Sequence, residues 1–134
     1  MTIAYVAHVQ DEKEHEEITR ANVAQNDVHF LTDFKMGEYY MEQICGMQYQ
    51  GVVISDDARL TEDSLLYLLG RVRHTGELFF RLGDYHKHLI EMFYTERWKD
   101  GNVVPSKYLS EEDIKETRDW DREFCLILGI IPNF

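Results

Sequence analysis

The chain has 134 residues, with 25 Asp and Glu against 14 Lys and Arg, a formal net charge of −11. Apolar residues make up 44% and charged residues 29%, the balance of a globular chain rather than a disordered one. The acidic excess excludes direct nucleic-acid binding through a basic footprint and argues against docking on anionic lipid.

A single α/β domain over residues 1–134 is expected, since a chain of this size can bury a core. No apolar run reaches membrane-spanning length, and the start of the chain lacks a cationic leader, so a cytoplasmic protein without membrane contact is expected. Cys45 and Cys125 lie far apart inside apolar patterns, with no CxxC or Cys/His cluster. They read as reduced core thiols and not as zinc ligands.

Ile3 to Ala7 reads as a first strand. Asp11-Glu12-Lys13-Glu14 is a capping-box pattern, and the helix behind it places Ile18, Ala21 and Ala24 or Gln25 on one face before Asn26-Asp27 stops it. Val28 to Leu31 is a second strand, and Thr32-Asp33 a second cap region. Tyr40, Met41, Ile44, Cys45 and Met47 make a helical stripe. Gly51 to Ser55 is a third strand, nearly all apolar, as burial on both faces requires. Thr61 caps a third helix carrying Leu65, Leu66, Leu68, Leu69 and Val72, which Thr75-Gly76 ends. Leu78-Phe79-Phe80 is a fourth strand. Asp84 opens a fourth helix with Leu89, Ile90, Phe93 and Trp98, closed by Asp100-Gly101. Asn102-Val103-Val104 is a short candidate fifth strand, and Ser110-Glu111-Glu112-Asp113 starts a last helix with Ile114, Phe124, Ile127 and Leu128.

Strands separated by single helices imply right-handed crossovers and a parallel sheet. The expected fold is a three-layer, doubly wound sheet of four to five strands with a flavodoxin-like layout. Ligands in such folds sit beyond the carboxyl ends of the strands. That rule singles out His8 to Asp11, Thr32-Asp33, Ser55 to Asp57, Arg81 to Asp84 and Pro105 to Lys107. The pocket candidates are therefore His8, Asp11, Asp33, Arg81 and Asp84, beside Asp56 and Asp57. Converging carboxylates can hold Mg²⁺ or work as acid and base. Capping of the following helices competes for Asp11, Asp33 and Asp84.

Val52-Val53-Ile54-Ser55-Asp56-Asp57 resembles the third strand and phosphoacceptor of a response-regulator receiver domain. The order of elements supports the likeness over most of the chain. Strand hydrophobicity registers Asp56 as the acceptor-like residue, and the following Leu60-Thr61 registers Asp57. Val103 to Glu112 is similar to the receiver's fifth strand and loop, which would make Lys107 the cation facing the phosphoryl group. The chain departs from the family elsewhere. Ala7-His8-Val9 stands where receivers carry the acidic pair that binds Mg²⁺, Phe80-Arg81-Leu82-Gly83 lacks the hydroxyl, and Tyr108 replaces Pro. The resemblance thus implies an atypical or pseudo-receiver that acts by protein contact, in which phosphoryl transfer to Asp56 or Asp57 loses much of its electrostatic support and no cofactor is required, Mg²⁺ being the one candidate. Tyr5-Val6-Ala7 and the stretch from Asp63 to Gly70 also resemble nucleoside deoxyribosyltransferase-like folds, but Leu68 stands where that family has its catalytic Glu.

His15-Glu16-Glu17-Ile18-Thr19 lacks the second His of a zinc pair and reads as solvated helix surface. His86 and His88 sit two apart, so a helix turns them away from each other. No GxGxxG, P-loop or GxSxG pattern occurs. The acid-rich stretches from Asp11 to Glu17 and from Glu111 to Glu123 read as helix faces. Aromatics at 13% exceed what a core of this size uses, which leaves some for an interface or for tail packing. Three functions follow in order. The first is a regulatory module that binds a protein partner, with a homodimer among the arrangements it allows. The second is a nucleotide- or nucleoside-processing enzyme with its pocket at the strand ends. The third is an acidic inhibitor that occupies a nucleic-acid-binding site on a target protein.

Overall fold

The computed structural model describes residues 2–22, 28–33, 44, 46–72, 78–99 and 110–134. Among them the chain runs β1 (Ile3–Ala7), α1 (Glu12–Asn22), β2 (Val28–Thr32), β3 (Gly51–Ile54), α2 (Glu62–Leu69), β4 (Phe79–Arg81), α3 (Asp84–Arg97) and α4 (Glu111–Ile127). The candidate fifth strand, Lys107, Cys45 and the stops at Asn26-Asp27, Thr75-Gly76 and Asp100-Gly101 lie outside the described residues, as do most of the stripe from Tyr40 to Met47 and the side chains of Ala21, Ala24 and Gln25.

The sheet has the order β2-β1-β3-β4, and every pairing is parallel. The fold is the expected α/β type, a doubly wound, flavodoxin-like sheet of the three-layer kind. β1 and β3 lie side by side at its centre, and the crossovers leave them in opposite directions. The gap beyond their carboxyl ends is the switch point.

Two compact units make up the chain, Met1–His86 and Lys87–Phe134. In the first, Ala4, Val6, Leu31, Val52, Ile54, Leu65 and Leu68 are buried around the sheet. β3 is almost wholly buried, as its apolar run predicts. Asp11 Oδ1 accepts the Glu14 backbone N–H at 2.9 Å, while the Glu14 carboxylate takes the Gln10 N–H, one residue earlier than a regular capping box. Thr61 Oγ1 accepts from Ser64 N–H and starts α2.

Three expectations need correction here. The third predicted helix ends at Leu69 with Gly70 as its cap, and Val72 forms a parallel bridge to Tyr49 instead of lying in the helix. The fourth strand is shifted by one residue, so Arg81 ends β4 instead of lying beyond it. The helix that Asp33 is expected to cap lies outside the described residues, and the Asp33 carboxylate accepts hydrogen bonds from neighbouring loops. His15 is not solvated surface. It is buried, with its ring Nδ1 2.6 Å from Thr32 Oγ1, because α1 lays this face against β2. Its spacing of three from Ile18 is the signal of a shared face.

In the second unit, Asp121 on α4 accepts the Trp98 indole N–H at 2.8 Å and lies 3.3 Å from the Arg97 guanidinium. The Phe134 ring stacks on Trp98 with centroids 6.2 Å apart, and Arg122 Nε donates to the Phe134 carbonyl. Ser110 and Asp113 form a reciprocal capping box at the start of α4, as the sequence predicts. At its other end Ile130 N–H reaches Cys125 O and Gly129 N–H reaches Leu126 O. That is a Schellman motif, with Gly129 at φ +80° in the left-handed position that glycine fills without strain. Phe124 and Leu128 are buried as expected, but Ile127 is exposed. No helix among the described residues is long and apolar enough to cross a membrane.

Candidate functional site

The strand register builds the site. Ala7 pairs with Thr32, Val6 with Ile54 and Val53 with Arg81, so all four strands deliver their carboxyl ends to one edge. His8 leaves β1 beside Asp33, which leaves β2. The His8 ring donates from Nδ1 to Asp33 Oδ2 at 2.8 Å. Asp33 Oδ1 accepts the Val9 N–H at 3.1 Å, and Oδ2 also accepts the Arg59 N–H at 3.3 Å. The Asp33 side chain keeps only 8% of its surface exposed and that of His8 keeps 40%. The Asp33 hydrogen bond and charge raise the His8 pKa above its ordinary value, with Asp57 and Glu14 adding to the same effect. His8 is thus weighted toward imidazolium.

Beyond β3 the backbone turns through Ala58 N–H to Ser55 O at 3.1 Å. The Ser55 hydroxyl donates to Asp57 Oδ1 at 2.8 Å. This bond, Asp57's own backbone N–H, and the charges of His8 and Arg59 hold the Asp57 carboxyl below the usual range. Asp56 is exposed, and its backbone carbonyl accepts from the Arg59 guanidinium at 2.7 Å. That guanidinium also donates to the Ala58 carbonyl and lies 4.9 Å over the Tyr85 ring. Tyr85 meets His86 edge-on, and buried His86 accepts the Leu60 N–H on Nε2 at 3.2 Å. Burial, then the Arg59 charge, lowers the His86 pKa, which suits a neutral ring that accepts.

The structure therefore brings together His8, Asp33 and Asp57, while the Asp56 side chain is exposed and only its backbone carbonyl is engaged, by Arg59. Asp11 caps α1, Arg81 is exposed at the end of β4, and exposed Asp84 is the first residue of α3. His88 is exposed and turned away from His86 as expected. Arg59, Tyr85 and His86 join the site without a sequence signal, because their partners lie on other loops. Among the described residues no group of three or more His, Cys, Asp or Glu side chains is placed to hold a metal ion. An imidazole weighted toward its cation stands at the end of β1, and Asp33 is already engaged by three donors of its own chain.

No family model, curated protein or solved structure matches this chain.

Proposed function

We propose that this chain is a small cytoplasmic regulatory module that works by contact with a protein partner. The observation that carries this reading is a contrast in how its surfaces are used. The strand-end polar groups are largely satisfied within the chain, while the second unit exposes Met92, Trp120, Leu126, Ile127 and Ile131, the last at 80%. Exposed apolar side chains in such number favour an interaction site. The acids at the start of α1 and α4 are exposed as well, which suits a partner with a basic surface. The buried free thiol of Cys125 suits a reducing compartment. The receiver-like layout remains part of this proposal, in a form that does not depend on phosphoryl transfer to Asp56 or Asp57.

One observation favours a second reading, a small enzyme acting on a nucleotide or nucleoside. An exposed imidazole held by a nearly buried carboxylate at the switch point can donate a proton to a bound substrate. A thermal-shift and turnover panel on the full chain separates the two. The panel uses Mg²⁺ with beryllofluoride, then nucleotides and nucleosides. Sedimentation of wild type and Leu126→Asp/Ile131→Asp, alone and with a polybasic peptide, runs alongside. The module shows no shift and no turnover, and its association is weakened by those substitutions or by salt. A nucleotide-dependent shift lost in His8→Ala supports the enzyme.

A further inference from the structure

One side chain at the switch point joins three strand-end loops. Asp33, following β2, takes the His8 ring and the Val9 N–H from the β1–α1 loop, and the Arg59 N–H from the β3–α2 loop. The carboxylate is nearly buried, whereas the imidazole stands at the mouth within reach of solvent protons. We propose that this contact is a proton-operated latch. Protonated His8 clamps Asp33 and holds both loops over the switch point. Loss of the proton loosens them and opens the crevice beyond β1 and β3. The latch would regulate the site described above, and its use to the cell rests on the regulatory reading. The proton dependence itself stands on the geometry.

The groups facing His8 all bear on its charge. Asp33 follows β2, Asp57 lies in the β3–α2 loop and Glu14 is on α1, and each favours the cation. Arg59, whose amide bonds Asp33, directs its guanidinium to the Asp56 and Ala58 carbonyls and the Tyr85 ring. The neutral His8 ring can still donate from Nδ1 to the carboxylate, but it no longer adds the attraction of opposite charges, so the clamp weakens rather than vanishes. The sign follows from linkage. A raised histidine pKa contributes stability that is fully present below the unfolded value and is lost as pH rises through the folded one. The latch is therefore shut on the acid side of the His8 titration and loose on the alkaline side. His86, lowered by burial, has the opposite dependence and cannot imitate it.

The test is amide exchange on the ¹⁵N-labelled full chain across the histidine titration range, with His8 ring shifts followed in parallel. After correction for intrinsic base catalysis, protection of the Val9 and Arg59 amides should fall several-fold at the His8 midpoint. The Ser55 amide, bonded to Val6 O within the sheet, should stay level. His8→Gln, a change at an exposed position, should abolish the step and keep the fold. Flat protection through the His8 titration, or an equal step in His8→Gln, overturns the latch. The regulatory reading fails separately: a chain that shows the step yet binds no partner keeps the latch and loses its proposed use.

Discussion

Gly51 opens β3, between Ile3 of β1 and Phe79 of β4. A Cβ at this position would lie 1.9 Å from Phe79 O, 2.8 Å from its carbonyl carbon and 3.1 Å from its Cα. All three are backbone atoms, so no rotamer change relieves the clash. β4 is three residues long, and its described pairing is with β3 alone. Gly51→Ala must therefore push β4 away from β3, straining the Phe79 N–H bond to Gln50 O at 3.1 Å. Overpacking of this kind costs about 1–3 kcal/mol, and a backbone collision belongs at the upper end. The expected loss is about 3 kcal/mol, equivalent to a fall of roughly 10 °C in Tm for a domain of this size. Urea unfolding followed by far-UV circular dichroism measures it. Gly46→Ala is the control, since a Cβ there meets nothing within 4 Å. A Gly51→Ala midpoint within about 0.5 kcal/mol of wild type would refute the close-approach argument.

Asp33→Ala strips two backbone N–H groups of a charged acceptor and should cost about 2–3 kcal/mol in urea unfolding. Asp33→Asn keeps one acceptor oxygen and should cost clearly less; equal losses would mean that Asp33 is no tether. Because the native His86 pKa is lowered, its contribution to stability is present above the unfolded value of about 6.5 and is lost as pH falls through the native one. The Tm advantage of wild type over His86→Gln should therefore shrink on acidification, and a gap that does not change with pH counts against a neutral, accepting His86.

Local chemistry made much of the fold legible. The caps at Asp11, Thr61 and Ser110 stand where the residue types place them, because a cap is a contact across three residues. The apolar run from Gly51 to Ile54 is a central strand because burial on both faces needs no polar alternation. Sequence pattern and structure differ where a distant partner decides the outcome. His15 looked solvated among acids, yet it is buried because β2 presents Thr32 to that face of α1. Val72 continued a helical stripe, but a bridge to Tyr49 claims it after Gly70 caps the helix.

By itself the sequence determined the alternation of strands and helices, and with it the parallel doubly wound sheet and the list of strand-end residues. Periodicity, caps and crossover handedness are local or generic rules, and they suffice for that. Only the tertiary structure decided which of those residues meet. The parallel register set His8 against Asp33, and the turn after β3 brought the Arg59 amide to the same carboxylate. Asp33 lies 25 residues from His8 and 26 from Arg59. No local propensity acts over such separations, so only the folded chain makes this aspartate the tether of three loops.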